Sequence, residues 1–268
     1  MKISAFLPVY NEESRIKYTL QSFQWCDEII ILDKSSTDNT VSICKNYTTK
    51  VIEIPNSNAY ESSEFNYLDK CNGDWIVIVT ASDIIDRSLA MEIRKQINIL
   101  PEDIGCIEVP FKNYIFGIEE KRSPWHGSPR IKVFRKDNYL INKDVHGALS
   151  FKNLKTYKIP EQFGFFSHLT HVSVDMMLDR HMRYWRGEAE MNKERTLTPA
   201  FERVWESAKE TIRRRKTFFL GWDGIALTFA YVSYYMFSFL YIWEKRRNGK
   251  AAKVYKELRE KNIEDWTQ

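Results

Sequence analysis

Two consecutive strand-to-helix units at the start of the chain constrain its fold more than any other feature. An apolar run, ISAFLPVY, passes directly into NEES, and a second run, EIIILD, passes into KSSTDNT about twenty residues later. Each run has the pattern of a buried strand, and the polar residues after it open an amphipathic helix. Repeated units of this kind predict a parallel α/β sheet.

The polar residues after these two strands mark a ligand site. In an open parallel sheet, ligands bind at the carboxyl ends of the strands. Asn11 and Glu12 follow the first strand, and Asp33 ends the second. Their oxygens can accept hydrogen bonds from the hydroxyls of a ribose and the N–H groups of a base. The sequence therefore predicts nucleotide binding at this edge.

Composition excludes several classes of protein. The chain has 268 residues, of which 43% are hydrophobic and 14% aromatic, so it is not intrinsically disordered. Its net charge of +4 is too small to indicate a nucleic-acid partner. The four cysteines form no Cys-x-x-Cys pair and have no histidine at metal-ligand spacing, and we expect Cys44 and Cys71 to be buried thiols. Such thiols fit a reducing cytosol.

The element pattern changes along the chain. Helices are predicted at residues 13–23, 37–47, 62–71 and 88–100, and strands at 2–8, 28–33, 51–54 and 75–79. Further strands are predicted at 106–116 and 130–135, with no helix between them. The later strands therefore predict a mixed sheet flanked by helices.

The C-terminal third is predicted to be helical, which divides the chain into residues 1–172 and 173–268. Within it, Ile225 to Trp243 contains no charged residue, and basic residues flank both ends. Its length approaches the ~20 residues that span a bilayer. Its Tyr, Ser and Thr content favours a helix lying on a membrane surface. A buried core helix and a true membrane span are the alternatives.

Several motifs together resemble one enzyme family. PVYNEES, DEIIILDKSSTDNT and NGDWIVIVTASD resemble the N-terminal half of family 2 glycosyltransferases, which have the GT-A fold and use nucleotide-diphosphate sugars. The branch with bacterial lipopolysaccharide-core β-glucosyltransferases is the more similar one. Its shared features are Trp125 before KVFR, the Val145–His146 pair, and Asp223–Gly224 opening an apolar helix.

The resemblance implies roles for four residues at the predicted nucleotide site. Pro8 and Tyr10 would line the base pocket, and Glu12 and Asp33 would accept hydrogen bonds from ribose or base. Carboxylates form strong charge-assisted bonds of this kind. The structural alternatives are a first-turn acid for Glu12 and a turn residue for Asp33.

The fourth strand departs from the family pattern. Relatives end it with Asp-x-Asp, which holds Mg²⁺ or Mn²⁺ against the diphosphate, whereas this chain has Thr80, Ala81 and Ser82, followed by Asp83. Three interpretations stay open, in this order. Asp83 binds the metal, with Thr80 and Ser82 close to the donor; or the enzyme needs no metal and uses cations; or catalysis has been lost.

Cations for a metal-free site are available in the strand RIKVFR and the loop before it. Lys121, Arg122, Arg130 and Lys132 lie around Trp125. We expect Arg130 and Lys132 to point in alternate directions, so that only one of them faces the crevice. A solvated charged surface is the alternative.

The general base is not fixed by the sequence. Relatives carry an acid directly after the Val-His pair, and here that position is Gly147. His146 and Asp144 remain as candidates, and an extended strand would place them on one face. His146 titrates near neutral pH, and Asp144 could instead orient it.

The sequence thus predicts an inverting hexosyltransferase. The donor would be a nucleotide sugar such as a UDP-hexose, and the acceptor a hydroxyl of a glycan or lipid-linked glycan, as in lipopolysaccharide synthesis. Residues 1–172 would bind the donor, and residues 173–268 would hold the enzyme peripherally at the inner face of the cell membrane. The alternatives are a degenerate sugar-nucleotide-binding protein and, less favoured, a nucleotidyltransferase, because PVYNEES lacks a glycine-rich phosphate loop.

Overall fold

The computed structural model describes residues 1–56, 61–141, 149–153, 155–192 and 196–267. The chain divides into two compact units. The first contains residues 1–120 and 125–173, and the second contains residues 121–124 and 174–268.

The main sheet of the first unit has seven strands: β1 (Ile3–Val9), β2 (Glu28–Asp33), β3 (Val51–Glu53), β4 (Trp75–Ile78), β6 (Cys106–Val109), β8 (Arg130–Arg135) and β11 (Thr156–Lys158). Their order in the sheet is β11-β6-β8-β4-β1-β2-β3. Strand β1 pairs in parallel with β2 on one side and β4 on the other.

Strand β8 makes the sheet mixed, because it runs antiparallel to both β4 and β6. A second, three-stranded sheet has the order β5-β12-β7 and consists of β5 (Asp83–Ile85), β7 (Phe111–Ile115) and β12 (Phe166–Thr170). A hairpin pairs β9 (Tyr139–Ile141) with β10 (Leu149–Phe151). The predicted α/β class, with a mixed sheet flanked by helices and a helical C-terminal region, is confirmed.

Side chains of β1 alternate between two apolar layers, as the two-residue period of a strand requires. On one face, Ile3, Ala5 and Leu7 pack with α1 (Ile16–Ser22), α2 (Thr40–Lys45) and α3 (Arg87–Ile99). On the other face, Phe6 packs with residues of the 3₁₀ helix Glu61–Lys70. The central strands are therefore covered on both sides, which explains their uninterrupted apolar sequences.

The four cysteines are free thiols, as expected, and Cys44, Cys71 and Cys106 are buried. Burial raises the pKa of Cys44 and of Cys71 to about 12. These thiols stay protonated at neutral pH and behave as small apolar side chains.

Two predicted elements differ from the structure. The segment predicted as an α-helix at 62–71 is a 3₁₀ helix, because Phe65, Leu68 and Cys71 recur every third residue and pack in one layer. The strand predicted at 106–116 is two strands in different sheets, β6 and β7. Pro110 separates them, since it has no N–H for a sheet hydrogen bond.

The second unit is helical. Its helices are α4 (Val174–Asn192), α5 (Thr198–Lys209), α6 (Gly221–Arg246) and α7 (Lys250–Thr267). Both α4 and α5 pack against α6. The indole N–H of Trp185 donates to the carbonyl oxygen of Tyr234 at 2.9 Å, and the buried Glu188 carboxylate accepts from the Tyr234 hydroxyl at 3.2 Å. Burying a carboxylate requires such partners.

The carboxylate of Glu28 joins the amino-terminal ends of the central strands. It accepts hydrogen bonds from the Ser4 hydroxyl, the Lys50 ammonium and the backbone N–H of Asn72 and Gly73. Burial alone would raise the pKa of Glu28, but these donors lower it to about 2. One carboxylate therefore stabilises the packing of β1, β2 and the turn before β4.

We expect Glu28→Gln to lower the free energy of unfolding by about 2 kcal/mol at pH 7, since a two-unit pKa shift in a partly screened pair has about this value. The folded-state pKa is depressed, so the contribution is complete above pH ~4.5 and disappears as the pH falls toward 2. Urea denaturation at pH 7 and pH 3 measures this. Glu53→Gln, at the exposed last residue of β3, is the control and should change little. An equal loss at both pH values would contradict the assignment.

Candidate functional site

The loops after β1 and β2 are joined by side-chain hydrogen bonds. The Asn11 side chain accepts from the N–H of Thr37 at 2.8 Å, and the N–H of Asn11 donates to the Ser36 hydroxyl at 3.0 Å. Glu13 accepts from the N–H of Asn39 at 2.9 Å. Asn11 has a left-handed backbone with φ of 51°, a conformation that asparagine tolerates better than most residues. The two loops therefore form one continuous edge at the carboxyl ends of the strands.

Asp33 is the last residue of β2 and lies at this edge. Asp33 is only 2% exposed. Both of its carboxylate oxygens accept a hydrogen bond from the backbone N–H of Ser36, at 3.1 and 3.3 Å. This is the only donor that the described part of the chain supplies to it. A carboxylate offers about four acceptor positions, so most of its capacity is unused. Asp33 is more enclosed than the sequence led us to expect.

Glu12 is paired with Arg15. The guanidinium contacts both carboxylate oxygens, at 2.5 and 2.8 Å, and also donates to the Leu169 carbonyl oxygen at 3.4 Å. Glu12 therefore shares its acceptor capacity with a cation that the sequence analysis did not single out. Pro8 and Tyr10 are partly exposed on the same edge.

A buried ion cluster lies beyond the end of β4. The Asp83 side chain is completely buried; its Oδ2 is 3.1 Å from the Lys132 ammonium, and its Oδ1 is 2.7 Å from Nδ1 of His168. The backbone N–H of Thr80 donates to Oδ2 at 2.8 Å. Register explains the contact with His168, because β5 and β12 are antiparallel and place His168 directly opposite Asp83.

Charge keeps Asp83 ionised despite its burial. Desolvation alone would raise the pKa of this carboxyl, but Lys132 and His168 hold it below its usual range. An ionised carboxylate at Nδ1 favours the imidazole tautomer that carries its proton there, leaving Nε2 as the other functional nitrogen. Asp83 therefore fixes the positions of both basic side chains.

The metal that the family resemblance implies does not fit these residues. The two carboxylate oxygens of Asp83 already contact Lys132 and His168, and its side chain is fully buried. Ser82 is buried as well, and Thr80 is exposed but offers only a hydroxyl. Within the described ranges, no three His, Cys, Asp or Glu side chains converge in a way that could hold a metal ion. Proteins usually hold Mg²⁺ through one or two carboxylates together with substrate phosphates, and both oxygens of Asp83 already have other partners.

Arg130 and Lys132 lie on the same side of β8. Both cationic groups lie over the ring of Phe111, at 4.3 and 5.4 Å from its centroid. The expectation that they point in alternate directions was wrong, because residues two apart on a strand share a face. Lys121 and Arg122 belong to the second unit, where the Arg122 guanidinium lies 4.9 Å from the ring of Phe219.

His168 and Arg15 are the residues of this edge that sequence reasoning missed. His168 is 85 positions from Asp83, and neither residue belongs to a motif that links them. The alternation of Phe166, His168 and Thr170 along β12 could have placed His168 on one face, but not opposite Asp83. The candidate bases Asp144 and His146 lie outside the described residues.

Comparison with known proteins identifies the family. Residues 4–156 match the family model described as glycosyl transferase family 2. An uncharacterized glycosyltransferase of Rickettsia typhi is 26% identical over 248 residues, covering 87% of this chain and 84% of that protein. The lipopolysaccharide core biosynthesis glycosyltransferase LpsC of Rhizobium meliloti is 23% identical over 155 residues, covering 56% and 57% of the two chains.

Similarity to solved structures is weaker. S. aureus TarS residues 1–349, solved in complex with UDP-GlcNAc, superposes with a TM-score of 0.49 and 15% identity, covering 92% of each chain. At this level the family assignment depends on the sequence match, which spans more than half of the chain. The protein is a glycosyltransferase and belongs to glycosyl transferase family 2.

Proposed function

We propose that this glycosyltransferase moves a hexose from a nucleotide-diphosphate sugar, such as a UDP-hexose, to a hydroxyl of a glycan or lipid-linked glycan, with inversion at the anomeric carbon. The proposal depends mainly on the carboxylate of Asp33, which is buried at the carboxyl edge of the sheet and has most of its acceptor positions unused. The similarity to LpsC supports an acceptor in cell-surface polysaccharide or lipopolysaccharide synthesis.

The nucleoside is assigned to the ends of β1 and β2. A buried carboxylate with a single N–H donor is poorly stabilised, and ribose hydroxyls or a base N–H would complete its hydrogen bonds. Pro8 and Tyr10 lie on the same edge and supply apolar surface for the base. Because Asp33 is enclosed, the adjoining side chains must move aside when the nucleotide binds.

The reaction requires a base and a stabilised leaving group. The acceptor oxygen attacks the anomeric carbon, the bond from that carbon to the phosphate oxygen breaks, and its electron pair leaves with the diphosphate. The acceptor proton passes to a base, for which Asp144 and His146 are proposed. The edge assigned to the diphosphate carries the cations Arg130 and Lys132. It also carries Thr80, which is exposed and lies beside His168. Positive groups there stabilise the developing negative charge.

Incubation with a panel of sugar nucleotides and an acceptor extract tests the activity. We expect one donor to release its nucleoside diphosphate faster when the acceptor is present. A degenerate protein that only binds sugar nucleotides is the second candidate, because Thr80, Ala81 and Ser82 replace the usual Asp-x-Asp. Tight binding with no turnover of any donor would favour that candidate.

Asp33→Asn should remove most nucleotide-dependent stabilisation. The amide keeps the size of the side chain and can still accept from Ser36, but it loses the charge that strengthens hydrogen bonds from the ribose or base. A nucleotide at about 100 times its Kd stabilises the parent protein by about 2.7 kcal/mol, and thermal melting with and without nucleotide measures the loss. Asp74→Asn, at the opposite end of β4, is the matched control. An unchanged shift in Asp33→Asn would contradict the pocket.

We also propose that α6 lies on a membrane surface. The run Thr217–Arg246 is long and apolar enough to cross a membrane by length and composition. An 18-residue window within it has a mean hydropathy of 1.5, yet only 17% of that window is buried. Six of its exposed large apolar residues recur at spacings of three, four and seven and form one stripe: Trp222, Ile225, Phe229, Met236, Leu240 and Trp243. Phe237, also exposed, lies beside this stripe. The residues of α6 that pack within the unit, Leu227, Ser238 and Ile242, lie on the opposite side.

The one-sided stripe favours a surface helix over a span. A spanning helix is apolar on all sides that meet lipid, whereas the inner side of α6 packs on α4 and α5, which carry many charges. Trp222 and Trp243 lie at the two ends, and basic residues 213–216 and 245–247 flank them. Tryptophan and basic side chains at such positions favour contact with anionic headgroups.

The double variant Trp222→Ser/Phe229→Ser should bind anionic vesicles at least tenfold more weakly, since each buried aromatic contributes about 2 kcal/mol. Co-sedimentation with phosphatidylglycerol-containing vesicles measures this, and binding should weaken with salt. Trp266→Ser, at an exposed tryptophan of α7, is the control. Resistance of the membrane-bound protein to alkaline carbonate would indicate a span and contradict the surface model.

A further inference from the structure

We propose that the donor diphosphate is held directly by Lys132, His168 and Arg130, with no divalent metal between the protein and the phosphates. The inference deepens the proposed function and rests on it, because it concerns how the same donor binds. It assigns a diphosphate-binding role to His168 and a positioning role to Asp83.

The end of β4 offers no available carboxylate for a metal. At the positions where the family places metal ligands, Thr80 is a neutral hydroxyl and Ser82 is buried. Asp83 is the only acid among residues 80–83, and its two carboxylate oxygens contact Lys132 and His168. For Asp83 to bind a metal, it would have to break a buried ion pair, which is costly because Lys132 would then lack its partner.

Asp83 holds two hydrogen-bond donors, the Lys132 ammonium and the His168 imidazole, at the edge of the sheet. One N–H of the Lys132 ammonium goes to Asp83, and an ammonium has three. His168 uses Nδ1 toward Asp83, and Nε2 on the far side of the ring remains for a ligand. The two side chains are 12% and 26% exposed, whereas the Asp83 side chain is fully buried beneath them. A ligand can therefore reach the Lys132 ammonium and the His168 imidazole, but not the Asp83 carboxylate.

The local charge also favours an anionic ligand. Arg130 and Lys132 both lie over the Phe111 ring, so both cations are on one side of β8. Against the single negative charge of Asp83 they leave one net positive charge. Preorganised cations of this kind stabilise the negative charge that develops on the leaving diphosphate.

Binding measured with and without metal tests the inference separately from the function. Isothermal titration of the full chain with a panel of nucleoside diphosphates and the matching nucleosides is run in EDTA and in MnCl₂. We expect one diphosphate to bind at least tenfold more tightly than its nucleoside, with less than a twofold change between EDTA and MnCl₂. Tightening by tenfold or more in MnCl₂ would overturn the inference but leave the proposed function standing. No binding under either condition would overturn both.

Variants identify the residues responsible. Lys132→Met alone leaves Asp83 without its main partner and can unfold the protein, so the double variant Asp83→Asn/Lys132→Met removes both charges together. We expect it to lose at least tenfold in affinity for the diphosphate while its affinity for the nucleoside stays within twofold, and His168→Gln to lose several-fold in the same selective way. Lys158→Met, at an exposed lysine paired with Glu108, is the control. Equal loss for nucleoside and diphosphate, or no loss, would overturn the assignment.

Discussion

The parallel pairing of β1 with β2 and β4 determines where Glu12, Asp33 and Thr80 lie. The pairing sets Val9 beside Asp33 and Phe6 beside Ile78, so the three strands end at one edge. The loops that follow them carry Glu12, Ser36 and Thr80. Apolar side chains on both faces of these strands fix the register, because a shift by one residue would exchange buried and exposed faces. The site at the carboxyl edge is thus a consequence of how the core packs.

Asp33 and Asp83 are both buried at this edge, but their surroundings differ. Asp83 accepts from Lys132, His168 and the Thr80 N–H, so most of its acceptor positions are filled, whereas Asp33 has one backbone donor in the described part of the chain. A carboxylate with its partners in place acts as a structural anchor, and one with unused acceptor positions can bind a ligand. This contrast separates the proposed nucleoside end of the site from the proposed diphosphate end, and it follows from the contacts rather than from the residue type.

The helical unit presents two different faces of α6. One face packs on α4 and α5, with the Glu188 carboxylate accepting from Tyr234, and the other exposes the apolar stripe from Trp222 to Trp243. Exposed apolar stripes on a helix that is already packed on its other side indicate a further partner. A membrane surface fits the basic residues at both ends of this helix.

The sequence by itself determined the α/β class and the early strands to within a residue or two, because apolar runs ending in polar residues are local signals. The same signals gave the prediction of a nucleotide site at the carboxyl edge. It also determined the loss of Asp-x-Asp. Only the tertiary structure decided what that loss means. The pairing of β5 with β12 brings His168 to Asp83, and β8 brings Lys132 to the same carboxylate. These contacts join residues 49 and 85 positions from Asp83, and no local pattern encodes them because they arise from strand pairing in the folded chain.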